Sequence, residues 1–344
     1  FPDTTGSMHT AENEPGHRMP MWDQDGVHDI YRRWRRILDE YTVPGDPDSE
    51  RILCAEAWVQ PEERLARYVR PDEMHQAFNF EFLDTGWDAT GYRHVIEESY
   101  RSNDAVGAPT TWVLSNHDVI RHATRLAILS EGYRPNGIGA DDPQPDAELG
   151  LRRARAATTM MLALPGGAYV YQGEELGLPE HTTMPDEWRQ DPIFHRTKGT
   201  DEFALGRDGC RVPMPWTKEG PSAGFGPSER SWLPQPDAYA GLAVDQQQGV
   251  PGSTLTLYRD LLDYRRKHRF GHGSLAWSPL TDATTLAFLN TSGDGTRTVL
   301  VVTNFGPDPV PLPEGDVIIA SSPLTDDGAV PTDTTVWLRL PSAS

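Results

Sequence analysis

Three short apolar runs in this chain stop abruptly in polar residues. RILCAEAWV ends on Glu56-Ala57-Trp58, TTWVLSNHD on Asn116-His117-Asp118, and AYVYQGEE on Gln172-Gly173-Glu174-Glu175. Between them, apolar residues recur at helical steps of three and four. Val27, Ile30, Tyr31, Trp34, Ile37, Leu38 and Tyr41 share one face, and Tyr92, Val95, Ile96, Ser99 and Tyr100 share another. LGLRRARAATTMMLALPGG reads as a helix halted at Pro165-Gly166-Gly167. Strands that alternate with helices pair in parallel. A doubly wound sheet would carry a Gly-rich phosphate loop, and none is visible, so a (β/α) barrel is the better reading. In such a barrel the carboxyl ends of the strands carry the active site.

Finer expectations follow from the same patterning. The helix over residues 26–42 should be capped by Asp23 or Asp25 and stop near Pro44. QPEERLARYV reads as helical, HQAFNFEFL as a further strand, and Tyr258, Leu261, Leu262 and Arg265 as one face of a last helix. Residues 1–24 read as an irregular loop, and the stretch at about 176–253, dense in Pro, Gly and Trp, as a long functional connection. From about residue 271, TLAFLN, TVLVVTNF, DVIIASS and TVWLRLP are β-rich runs split by turn residues. The expected organisation is therefore a barrel region over 1–270 and a small antiparallel β domain over 271–344.

Charge narrows the partners. The 31 Lys+Arg against 51 Asp+Glu give a net charge of −20, which opposes nucleic acid or an anionic membrane surface and leaves a small molecule as substrate. No run reaches the ~18–20 apolar residues of a membrane span. Cys54 and Cys210 are too few for a disulfide scaffold or zinc site, and Cys54, in an apolar run, reads as a buried thiol. No secretory leader is visible, so a cytoplasmic location is expected.

Singly, the strand-end motifs say little, since Glu, Asn and Asp are ordinary terminus and turn residues. Together, two carboxylates at parallel strand ends with a His beside one form the layout for cleaving a glycosidic bond. One carboxyl must be protonated to assist the leaving group, and a negative charge must lie near the oxocarbenium-like centre. His117 would donate to a sugar hydroxyl. A metal there lacks two further ligands at suitable spacing, so no metal or cofactor is expected.

These segments resemble the α-amylase superfamily, glycoside hydrolase family 13, and within it the α-glucosidase and oligo-1,6-glucosidase branch. ILCAEAW is similar to the family's fifth-strand segment, which implies that Glu56 is the general acid/base. WVLSNHD is similar to the seventh, which implies sugar binding by Asn116 and His117 and transition-state stabilisation by Asp118. GGAYVYQGEELG is similar to the eighth, and GRDGCRVPMPW resembles the branch's GRDxxRTPMxW stretch. An Arg there helps hold the non-reducing glucose, with Arg211 the first choice and Arg207 the second. Either could instead be a structural ion-pair partner. Trp58, Phe78, Phe80 and Trp216 could stack on sugar rings, although Phe80 reads better as core, and Glu174 and Glu175 as loop-fixing residues.

The resemblance implies a retaining α-glucosidase working through a glucosyl-enzyme intermediate. A transglycosylase or isomerase such as trehalose synthase, or a non-catalytic sugar-binding relative, are the alternatives. The family's nucleophile is an Asp in a GFRxD-type segment at the fourth strand, and this chain contains no such segment. By this matching the helix over 26–42 would follow the fourth strand. The chain is then expected to supply the fifth-to-eighth-strand half of a (β/α)8 TIM-type barrel. It should be inactive alone, since a retaining enzyme needs a second carboxyl ~5–5.5 Å from the acid.

Overall fold

The computed structural model describes residues 22–128 and 136–341, so most of the expected loop over 1–24 lies outside the described residues. The described residues group into two bodies, 22–85 with 92–113, and 86–91 with 114–128 and 136–341.

In the first body α1 (Val27–Asp39) forms over the expected residues, but it packs through polar groups. His28 Nδ1 lies 2.6 Å from Glu73 Oε2, Arg32 donates to Glu73 Oε1 at 2.9 Å, and Arg35 to the Glu73 carbonyl at 3.3 Å. Ile30, Trp34 and Ile37, on the face predicted to be buried, are 48%, 46% and 43% exposed. Neither Asp23 nor Asp25 caps the helix: Gly26 holds that position without a side-chain bond. Asp23 is buried instead and accepts from Arg64 and from the Tyr68 hydroxyl, and Asp25 accepts from Arg67. An acid that finds a guanidinium gains more than one bonding a neutral N–H.

Strand β1 (Cys54–Ala55) pairs in parallel with β2 (Gln76–Ala77), and α2 (Glu62–Leu65) lies between them in sequence. Cys54, expected to be buried, is half-buried, while its neighbour Ala55 in the same strand is buried. The strand expected over HQAFNFEFL stops at Ala77. Asn79 then turns the chain: its side-chain oxygen accepts from the Phe82 N–H at 2.9 Å and starts α3 (Phe80–Asp84). Its amide donates to Ser99 on α4 (Ala89–Asp104) at 2.6 Å. Phe82, Tyr92, Tyr100 and Trp112 of β3 (Thr111–Val113) pack with ring centroids 5.0–5.5 Å apart.

In the second body the short α5 (His122–Arg125) lies against α6 (Ala147–Ala163). Gly150 permits this crossing, since a Cβ there would meet the Ala123 carbonyl at 2.0 Å. Asp146 caps α6 by accepting from the N–H groups of Glu148 and Leu149. At the other end, Arg265 on α9 (Thr254–Lys267) donates to the carbonyls of Leu162, Leu164 and Gly166, groups that a helix terminus leaves without partners. β4 (Gly167–Tyr169) follows. The aperiodic stretch after it contains α7 (Pro192–Thr197), α8 (Val244–Gln247) and short helical turns. Its order comes from a shared core of Leu176, Leu178, Met184, Val212, Met214, Leu233, Tyr239 and Leu255.

The C-terminal strands are β5 (Ser274–Trp277), β6 (Thr285–Thr291), β7 (Thr298–Asn304), β8 (Asp316–Ala320) and β9 (Thr334–Arg339). They form one antiparallel sheet in the order β5-β6-β7-β9-β8. β5 was not among the runs read as strands. Trp337 Nε1 donates to the Thr159 carbonyl at 2.8 Å, Thr335 Oγ1 to Ala156 at 2.8 Å and Asn290 Nδ2 to Ala163 at 2.6 Å, so the sheet is bonded to α6. Among the described residues no helix is long and apolar enough to cross a membrane.

Candidate active site

In the second body the chain leaves β3 through Leu114 and Ser115 into a tight turn, in which the Asn116 side-chain oxygen accepts from the Asp118 N–H at 2.8 Å. Asp118, thus held, meets two cations. Arg207 Nη1 and Arg211 Nη2 donate to the same oxygen, Oδ1, at 2.9 and 2.8 Å. Arg211 Nε also donates to the His117 carbonyl at 2.7 Å. His117 is exposed, with Nε2 3.5 Å from Asp118 Oδ1. No described residue donates to Asp118 Oδ2.

Behind this pair stands Asp191, which sequence reading did not single out. It accepts from the Arg207 N–H at 2.9 Å and from Nε at 2.6 Å, and caps α7 through the Ile193 N–H at 3.1 Å. Burial pushes its carboxyl up, but the bonds from Arg207 and Ile193 outweigh this and bring it down to about 2. Asp208 Oδ2 accepts from the N–H groups of Gln190 and Asp191 and fixes that turn. The signal for Asp191 was present, since Asp before Pro192 is a helix start.

The strand end after β4 braces the same loop. Tyr171 donates to the Cys210 carbonyl at 3.1 Å, and Arg121, fully buried, donates to Gln172 at 2.8 Å with its guanidinium 5.1 Å from the Tyr171 ring centre. Glu180 accepts from the Arg121 N–H at 3.0 Å, and burial raises it to about 7. Gly209 is required beside it, because a Cβ would lie 2.3 Å from the Glu180 carboxylate. Glu174 and Glu175 accept from the N–H groups of Tyr171 and Gly173 and hold the turn. Glu174 also lies 3.3 Å from His122 Nδ1, which is 2.8 Å from Ser115 Oγ. Burial pushes Glu174 up to about 8 and His122 down to about 3, so this pair is a neutral acid beside a neutral imidazole.

In the first body Glu56 directly follows β1 and is exposed. Trp58 is half-buried and stacks on the buried Phe80 at 3.9 Å and 4°, with Phe78 6.0 Å from Phe80. Trp216, in the second body, is 48% exposed. The structure thus gathers Asn116, His117, Asp118, Arg207 and Arg211 into one cluster, and sets Glu56, Trp58 and Phe78 at the ends of β1 and β2.

The family model described as "Alpha amylase, catalytic domain" matches residues 3–272. The chain belongs to the alpha-amylase family. Among alpha-amylase-type relatives, it is 29% identical over 304 residues to a salivary alpha-glucosidase of Anopheles gambiae, covering 85% of this chain and 45% of that protein. It is also 29% identical over 271 residues to Maltase A1 of Drosophila melanogaster (76% and 41%), and 29% identical over 300 residues to a trehalose synthase of Thermus thermophilus (79% and 28%). The chain spans less than half the length of these curated relatives. The solved structure of the alpha-glucosyl transfer enzyme XgtA superposes with a TM-score of 0.69 at 27% identity, over 92% of this chain and 54% of that one. The trehalulose synthase MutB from Pseudomonas mesoacidophila, at 19% identity and a TM-score of 0.71 over 92% and 59%, shares the fold. The fold class is accordingly that of the alpha-amylase family, a TIM barrel with a C-terminal antiparallel sheet.

Proposed function

We propose that the chain carries the proton donor and the charged stabiliser of a retaining α-glucosidase that hydrolyses α-glucosidic bonds of short oligosaccharides and releases α-glucose. In this reading Glu56 protonates the leaving oxygen. Asp118, ionised, accepts from sugar hydroxyls and supports positive charge at the anomeric centre. His117 and Asn116 add polar contacts, Arg211 and Arg207 hold the terminal glucose, and Trp58 and Phe78 flank it. Residues 1–270 are proposed as the fifth-to-eighth-strand part of the barrel and 271–344 as the β domain.

The observation that carries this reading is the double guanidinium clamp on Asp118 Oδ1, which leaves Oδ2 without a hydrogen bond from any described residue. Two charge-assisted bonds fix the group, while the remaining oxygen can accept from a hydroxyl. The chemistry also needs a nucleophile, and no GFRxD-type segment occurs in the sequence. The 344 residues assayed alone on 4-nitrophenyl α-glucoside should therefore show no turnover. Robust turnover by the chain alone would overturn the assignment of roles.

A second reading, glucosyl transfer or isomerisation, is favoured by the trehalose synthase and glucosyl-transfer relatives. Product analysis with maltose separates the two, since hydrolysis gives glucose and isomerisation gives trehalose.

A further inference from the structure

The first body holds a cavity of about 250 Å³ whose lining does not include Glu56. Trp58, Phe80, Leu65 and Val95 form its apolar wall, and its charged residues are Glu62, Glu81 and Asp84; no Lys, Arg or His lines it. Glu62 is 6% exposed, and no described residue hydrogen-bonds its carboxyl. A buried polar group left without a partner costs free energy in either protonation state. The other charges near it sharpen the conflict. Glu81 on α3, Glu63 on α2 and Glu98 on α4 all act on Glu62 with the same sign. Arg101 on α4 is committed to Glu63 and Glu98, while His94 and Gln60 act on Glu81.

We propose that this cavity binds a small organic cation bearing a primary ammonium, such as a diamine or an amino alcohol, with Glu62 and Glu81 as the carboxylates that receive it. A bare metal ion fits less well. Among the described residues, Glu62, Glu81 and Asp84 do not bring three oxygens to metal-ligand spacing. An alkylammonium needs no such convergence, and its methylene stem suits the wall made by the stacked Trp58 and Phe80 rings. In the empty cavity, burial together with the neighbouring acids pushes Glu62 up to about 8 and raises Glu81. An arriving ammonium replaces the proton on Glu62, so binding releases a proton near neutral pH and tightens as pH rises.

The test is calorimetric titration of the full chain with 1,4-diaminobutane, in two buffers of different ionisation enthalpy. Uncharged 1,4-butanediol and Ca²⁺ serve as controls. Saturable diamine binding is expected, with net proton release and no response to the diol. Glu62→Gln should weaken binding by at least about tenfold and abolish the proton release, since one partner of a close charge pair is removed. Glu81→Gln should weaken binding while preserving part of that release, and circular dichroism verifies that both variants fold. Absence of saturable binding, binding insensitive to both substitutions, or Ca²⁺ binding that the diamine does not displace would overturn the proposal. None of these outcomes depends on glycosidase activity.

Discussion

The two strand ends that carry the proposed catalytic carboxyls are held very differently. Beyond β1, Glu56 is exposed after a strand of two residues, and no described side chain donates to it. Beyond β3, Asp118 is pinned by the Asn116 turn, gripped by Arg207 and Arg211, and backed by Asp191, itself seated on the start of α7. The difference follows the chemistry each would do. A proton donor must lose and regain its proton each cycle, and a guanidinium on it would hold it ionised. A stabiliser must stay in place, and cations on one of its oxygens hold it there.

The contrast is sharpest in leaving-group dependence, and there the largest effects are expected. In an active form of the enzyme, Glu56→Gln should lower turnover of maltose by ~10²–10⁴-fold yet spare much of the activity on 4-nitrophenyl α-glucoside, whose leaving group needs little protonation. Asp118→Asn should depress both substrates alike. Equal losses for Glu56→Gln on the two substrates would remove the distinction.

A third carboxyl extends the comparison, because Glu174 is buried with no described guanidinium on it, where Asp118 is gripped by two. Its folded pKa of about 8 lies above the ordinary carboxyl value, so the folded protein retains a proton that the unfolded chain has lost. Its stability contribution is present below ~4.3 and is lost as pH rises through about 8, an effect of a few kcal/mol. His122, lowered to about 3 by burial, acts in the opposite sense and removes stability as pH falls below its ordinary value. Glu174→Gln should flatten the drop in the urea midpoint between pH 5 and 8. An unchanged slope would mean that Glu174 is ionised in the folded state.

Arg211→Ala probes the clamp itself. A hydrogen bond to a charged group contributes ~1.5–3 kcal/mol, and because Arg207 still holds Asp118, glucose binding should weaken more than the thermal midpoint falls. Lost stability with unaltered recognition would make Arg211 a structural ion-pair partner. The smallest change is expected at the foot of α6, where Asp146→Ala removes a cap worth about 1 kcal/mol and should leave sugar recognition untouched.

Much of this was legible in the sequence where a single local rule operates. Apolar steps of three and four placed α1, α4 and α9, the Leu/Ala/Arg run halted at Pro165-Gly166-Gly167 placed α6, and abrupt strand ends marked the polar clusters. What escaped was decided by contacts between distant residues. The buried side of α1 is set by Glu73, 45 positions from His28, which no periodicity can register. HQAFNFEFL alternates like a strand, but one Asn with both a cap and a Ser99 to bond turned it into a helix. Asp191 stood in a stretch with no repeat, so its bond to Arg207 was invisible even though its place before Pro192 was not.

The bonding between α6 and the last sheet bears on how such a chain can be recombined. The sequence changes character near residue 271, which invites a splice in the Arg269–Gly273 turn. Yet Trp337, Thr335 and Asn290 donate across that turn to the backbone of α6, and Arg265 closes the same helix from α9. A hybrid that kept the helices and borrowed a foreign sheet would have to reproduce three donors at matching heights along one helix. Shuffling within this architecture should therefore succeed only when α6, α9 and the sheet are inherited together, as one heritable unit whose seams lie elsewhere.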